Sequence, residues 1–122
     1  MVTLDDLRRV AEIEFGDLVT DSLPLGKKLR LYLSDGSYMD LWLSRRLHER
    51  FGFHWERQHL DGTVYRYDNF PNTAWRDIAS YPHHFHAGAQ DTVISTPFAT
   101  EPLAGFREFM RFVAAKVSGD RE

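Results

Sequence analysis

The chain contains no cysteine, so disulfides and thiol chemistry are excluded from the outset. No apolar run approaches the roughly eighteen residues that a membrane span needs. The opening segment, Met1-Val2-Thr3-Leu4-Asp5-Asp6, lacks the basic and apolar regions of a signal peptide. The sequence therefore reads as cytoplasmic, with no membrane partner. A basic excess is also missing: the net charge of −3 argues against broad, nonspecific nucleic-acid binding, which draws on a strongly basic face. Lysine is absent from residues 44–76, although Arg45, Arg46, Arg50, Arg57, Arg66 and Arg76 all fall there. Arginine without lysine suits planar, bidentate contacts to phosphate or carboxylate, and ordinary ion pairs on a solvated strand face account for it equally well.

What is present fits one domain spanning residues 1–122, long enough to bury a core without metal or disulfide support. Thr3 is placed to cap a helix whose apolar positions Leu4, Leu7, Val10 and Ala11 follow helical spacing, with Gly16 ending it. Asp21-Ser22-Leu23-Pro24-Leu25-Gly26 reads as a linker because it is rich in turn formers. Leu29, Leu31 and Leu33 alternate with polar residues, and the alternation resumes at Met39, Leu41 and Leu43. A three-residue loop collects all six on one face, with Leu33 expected opposite Met39, Leu31 opposite Leu41 and Leu29 opposite Leu43.

A second hairpin is expected about Asp61-Gly62, and a two-residue turn there sets Arg57 across from Arg66. Residues 70–81 read as an irregular excursion, and Val93-Ile94 as a short strand. Thr100 and Pro102 open a final helix with Leu103, Phe106, Met110, Val113 and Val117 on one stripe and Gly119 at its end. The expected fold is α+β. Its antiparallel sheet has four to five strands built from two hairpins, with an N-terminal helix near an edge and the long amphipathic C-terminal helix packed on the sheet. The stripe is read as core; its alternative is a homodimer interface.

Tyr81-Pro82-His83-His84-Phe85-His86-Ala87-Gly88 holds three of the six histidines. Imidazole titrates near neutrality and also ligates metals. In an extended backbone His84 and His86 point one way, His83 and Phe85 the other. Asp68, closing Arg66-Tyr67-Asp68-Asn69, is placed to orient one imidazole. Two chemistries fit. In one, histidines act as base and acid on an RNA 2′-hydroxyl and its leaving 5′-oxygen while Arg66 or Arg57 offsets the charge on phosphorus. In the other, His84 and His86 ligate a divalent ion with Asp68 as third ligand or outer partner. The first is preferred, so no cofactor is required. The catalytic candidates are His83, His84, His86, Asp68 and Arg66, and the substrate-binding candidates are Arg57, Tyr67, Asn69 and Trp55.

Ser34-Asp35-Gly36, His54-Trp55, Asp61-Gly62, Arg66-Tyr67-Asp68-Asn69, Pro71, Pro82-His83-His84-Phe85-His86 and Val93-Ile94-Ser95 together resemble the TumE family, over about residues 29–117. The resemblance implies the toxin half of a type II toxin–antitoxin pair, partnered by a DNA-binding antitoxin. It does not supply a mechanism; RNA cleavage is inferred from the candidate residues, and the alternative is a non-catalytic protein-binding module. Many members have Pro-His-His where this chain reads Pro71-Asn72-Thr73, and lysine where Phe85 stands. Losing that cation weakens phosphate binding at the histidines and leaves the metal reading untouched.

Overall fold

The computed structural model describes residues 1–44, 46–47 and 49–120. Arg45, one of the arginines noted above, lies outside the described residues, as do His48 and the last two residues of the charged tail. The first helix, α1 (Leu4–Glu14), starts where its cap was expected. Thr3 Oγ1 accepts from the Asp6 N–H at 3.1 Å, and the Asp6 carboxylate accepts from the Thr3 N–H at 2.8 Å. Two otherwise unpaired donors are thereby satisfied.

Among the described residues, seven antiparallel strands follow as a continuous meander: β1 (Val19–Leu25), β2 (Lys28–Leu33), β3 (Tyr38–Leu43), β4 (Phe51–Arg57), β5 (Thr63–Asp68), β6 (His84–Gly88) and β7 (Val93–Ser95). The expected four to five strands undercount the sheet. The segment read as a linker is β1, an edge strand that pairs only with β2 and is mostly exposed, so it carries no alternation to read. Pro24 is tolerated in it because an edge strand has one unpaired side. The histidine segment, read as extended but not counted as a strand, supplies β6, while β7 forms at the expected Val93-Ile94.

The first hairpin turns through Ser34, Asp35 and Gly36, a three-residue loop as expected. Gly36 takes the left-handed φ of 90° that closes such loops. The pairing is nevertheless shifted: Leu31 faces Met39 and Leu29 faces Leu41, while Leu33 hydrogen-bonds to Ser37. A shift of two residues leaves all the leucines on the same face. In the second hairpin the two-residue turn is replaced by one helical turn, α2 (Gln58–Asp61), closed by Gly62 at φ 78°. Trp55 now faces Tyr65, and His54, not Arg57, faces Arg66. The expected arginine clash disappears because the two side chains leave opposite faces of the sheet.

The last helix, α3 (Pro102–Asp120), opens at Pro102 as expected but is capped by Glu101 rather than Thr100. The Glu101 carboxylate accepts from the Leu103 and Ala104 N–H groups at 3.1 and 2.7 Å. It also runs through Gly119 instead of stopping there. Phe106, Phe109, Met110 and Val113 are completely buried within the chain, so the stripe is core. The Phe106 ring lies 5.4 Å from Phe53, and Phe112 lies 5.3 Å from Tyr65 and 5.5 Å from Phe85. These contacts set α3 across the aromatic strands β4 to β6. Helix α1 was expected near an edge; it contacts β1, β2 and β3 on that same face. With the two long helices, α1 and α3, on one face, the other face of β4 to β6 is left to the polar residues of the alternation.

Candidate functional site

Strand parity and register assemble the site on the face away from the helices. On β5, Arg66 and Asp68 are two residues apart and share a side; on β6, His84 and His86 do the same. The register pairs Asp68 with His84 and Arg66 with His86. Phe85, between the histidines, points into the core. Four chemically active side chains thus meet through backbone pairing alone.

Asp68, His84 and His86 are all buried. His84 Nε2 lies 3.1 Å from Asp68 Oδ1, and His86 Nε2 lies 3.8 Å from Asp68 Oδ2. The opposite nitrogen of each ring meets a main-chain carbonyl: His84 Nδ1 is 3.0 Å from Pro82 O, and His86 Nδ1 is 2.8 Å from Gln90 O. A carbonyl oxygen only accepts, so both Nδ1 atoms carry hydrogen and both Nε2 atoms are the ones left for chemistry. Both are aimed at one carboxylate.

Burial alone pushes the Asp68 carboxyl upward, but the His84 hydrogen bond, the Arg66 charge and the Phe70 N–H hold it below its ordinary value. Burial pulls His84 downward, and this is outweighed by the hydrogen bond and charge of Asp68, which raise it. His86 is left lowered by burial, since its bond to Gln90 and the more distant Asp68 do not compensate. Asp68 raises both imidazoles, but only at the closer His84 does it outweigh burial.

Arg66 Nε donates to Asp68 Oδ2 at 2.8 Å while the arginine side chain keeps 31% of its surface exposed. It lies across β4 at Gly52, the residue paired with Asp68. A Cβ at Gly52 would stand 2.8 Å from Arg66 Nη2, so the guanidinium occupies room that only glycine leaves. Trp75, from the 3-10 turn Thr73–Trp75, places its ring 6.5 Å from His84 and 6.4 Å from His86. Neither Gly52 nor Trp75 was singled out for the site from sequence. The available signals were a glycine inside an aromatic strand and a tryptophan in a non-periodic segment.

The remaining candidates lie elsewhere. His83 points to the helix side, 6.0 Å from Phe51 and 6.4 Å from Tyr67, apart from the other two histidines as strand parity dictates. Trp55 is fully buried and donates its indole N–H to Ser37 Oγ at 2.8 Å. Tyr67 is fully buried too, its hydroxyl donating to Ala99 O at 2.7 Å, and burial pushes its pKa up to about 12. The Asn69 amide bridges Phe51 N and Glu49 O at 2.9 and 2.6 Å. Arg57 is buried on the helix side, paired with Asp35 and with Asp61 at 3.0 Å. These four are engaged in building the fold, and none faces Asp68.

Among the described residues, a seven-stranded meander with α1 and α3 on one face and a buried Asp–His–His cluster on the other defines the architecture and its site. The chain belongs to the TumE toxin family: the family model described as Toxin TumE matches residues 2–117 of its 122. No match is found among curated proteins or among solved structures. Among the described residues, no helix is long and apolar enough to cross a membrane.

Proposed function

We propose that this chain is the toxin of a toxin–antitoxin pair and that it acts by cleaving RNA. Asp68, His84 and His86 form the reactive centre, and Arg66 is the contact to phosphate. The observation that carries the reading is the convergence of two imidazole Nε2 atoms on one buried carboxylate beside a half-exposed guanidinium. Phosphodiester cleavage needs a group that activates the attacking oxygen and a cation that offsets the charge gathering on the phosphoryl oxygens. Arg66 suits the second task, being oriented by Asp68 and still open to solvent. The centre suits the first.

A base and an acid acting on either side of a phosphate would have to face each other across it. Here both Nε2 atoms turn to the same point, with ring centroids 5.0 Å apart, which favours joint action at one position over a flanking pair. The family supports an antitoxin as the partner, and we take that antitoxin to be a DNA-binding protein. The non-catalytic alternative draws on the burial of the same three residues and on Trp75 lying against both rings. The test is RNA cleavage by purified protein against the His84→Ala/His86→Ala double variant, with thermal melting of both. Cleavage lost while the fold persists supports the centre. Equal cleavage by the two proteins rejects it, and an inert wild-type protein across metal conditions favours the binding-module alternative.

A further inference from the structure

We infer that Asp68, His84 and His86 form a binding site for one divalent first-row transition cation. One ligand atom from each residue can be chosen so that the three lie within 4.8 Å of one another. Two imidazoles and a carboxylate are the donor set that zinc and its neighbours take in catalytic sites, leaving positions for water or substrate.

Proximity alone is weak, because any hydrogen-bonded Asp–His pair brings such atoms together. The outer contacts are more telling. A metal-binding imidazole characteristically donates its second ring N–H to a carbonyl or carboxylate, which fixes the tautomer and the ring plane. Both imidazoles do this, His84 to Pro82 O and His86 to Gln90 O, although the two carbonyls lie on opposite ends of β6. Ligating carboxylates are likewise held from behind, and Arg66 and the Phe70 N–H hold Asp68 at 2.8 and 3.0 Å. An Asp that only oriented a catalytic histidine would require one ring, fixed on one side. The structure instead orients two rings and a carboxylate toward a common point.

The site shares its residues with the proposed reactive centre, but its test needs no RNA. Untagged wild-type protein is stripped with EDTA and titrated calorimetrically with zinc, nickel, manganese and magnesium chlorides, and its metal content is measured after dialysis. Thermal melting with and without each ion checks the fold. One equivalent of zinc or nickel is expected per chain, with a raised melting temperature. Magnesium, which prefers all-oxygen shells, is expected not to bind. In His86→Ala the affinity should fall by more than the roughly 10- to 100-fold that losing an outer partner costs. His54→Ala, on the same face of β4, should bind like wild type and serves as the folded control. Folded wild-type protein that binds none of these cations, or binding undiminished in His86→Ala, would overturn the inference. Cation bound without RNA cleavage keeps the site and refutes the activity; RNA cleavage by a protein that binds no cation refutes the site alone.

Discussion

Gly52→Ala should separate the chemistry of this protein from its stability. The new Cβ would lie 2.8 Å from Arg66 Nη2, 3.5 Å from Arg66 Cζ and 3.6 Å from Phe70 Cε2. Attractive contact between heavy atoms begins at about 3.5 Å, so the guanidinium must retreat by roughly half an ångström or more. It can do so at little cost, being the flexible, half-exposed end of a side chain. Gly52 does not have a positive φ, so alanine introduces no backbone strain. Replacing a strand glycine by alanine gains about 0.5–1 kcal/mol through the unfolded chain. Loosening the Arg66–Asp68 pair, whose carboxylate is buried while the arginine is 31% exposed, costs on the order of 1 kcal/mol. Asp68 keeps its His84 and Phe70 contacts throughout. The two effects offset to within about 1 kcal/mol, a shift of only a few degrees in Tm.

The rate should not be spared. Removing a preorganised donor from developing oxyanion charge costs on the order of 10²–10³ in kcat. Gly52→Ala should therefore slow RNA cleavage by much of that factor while its urea midpoint barely moves. Arg66→Ala should give a similar loss, and the double variant should be no slower than Arg66→Ala alone, because both changes remove the same contact. Additive losses, or full activity in Gly52→Ala, would refute the claim that this glycine acts by making room for Arg66.

Met110→Asp buries a charge without a partner in a fully enclosed position and should cost several kcal/mol, visible as loss of the thermal transition. Arg57→Ala leaves the Asp35 carboxylate without its guanidinium and should cost about 3 kcal/mol, the low end for a buried pair because Asp61 reaches solvent. Its cleavage per folded molecule should be unchanged, since Arg57 faces the helices. Asp40 is raised by burial but held below the ordinary 3.8 by its bonds to Arg30 and Lys28, so its folded value lies under its unfolded one. Its contribution is complete above the unfolded value and is lost as pH falls through the folded one. Urea midpoints measured between neutrality and strong acid should therefore decline less steeply in Asp40→Asn.

Much of this architecture was legible because side-chain alternation has a period of two, and errors of two residues cost nothing. The first hairpin shows it: Leu31 pairs with Met39 rather than Leu41, yet every leucine remains on the predicted face. The same parity separates His84 and His86 from His83 whether the segment is read as strand or as extended loop. An odd error is costly. Reading a two-residue turn where a helical turn stands shifted the second hairpin by three residues and put Arg57 on the same face as Arg66, drawing Arg57 into the candidate site. No local pattern corrects that error, because Gln58-His59-Leu60-Asp61 is too short to display helical periodicity.

The substrate-binding candidates fail to face Asp68 for a related reason. Trp55, Tyr67 and Asn69 were attractive as large or polar residues next to the chemical segment, but neighbours in a strand point to opposite faces. Tyr67 sits between Arg66 and Asp68, so the alternation that turns those two toward the histidines turns Tyr67 into the core. Asn69 comes just after β5, where its amide ties the end of that strand to the start of β4. The edge strand β1 was invisible for the opposite reason, as it buries too little to alternate. What remained beyond sequence was contact between segments far apart in the chain, above all Gly52 beneath Arg66 and Trp75 against both imidazoles. Those contacts follow from register and from the path of residues 70–83. The second hairpin's register therefore decides which arginine can serve this centre, and Arg57→Ala beside Arg66→Ala measures that choice directly.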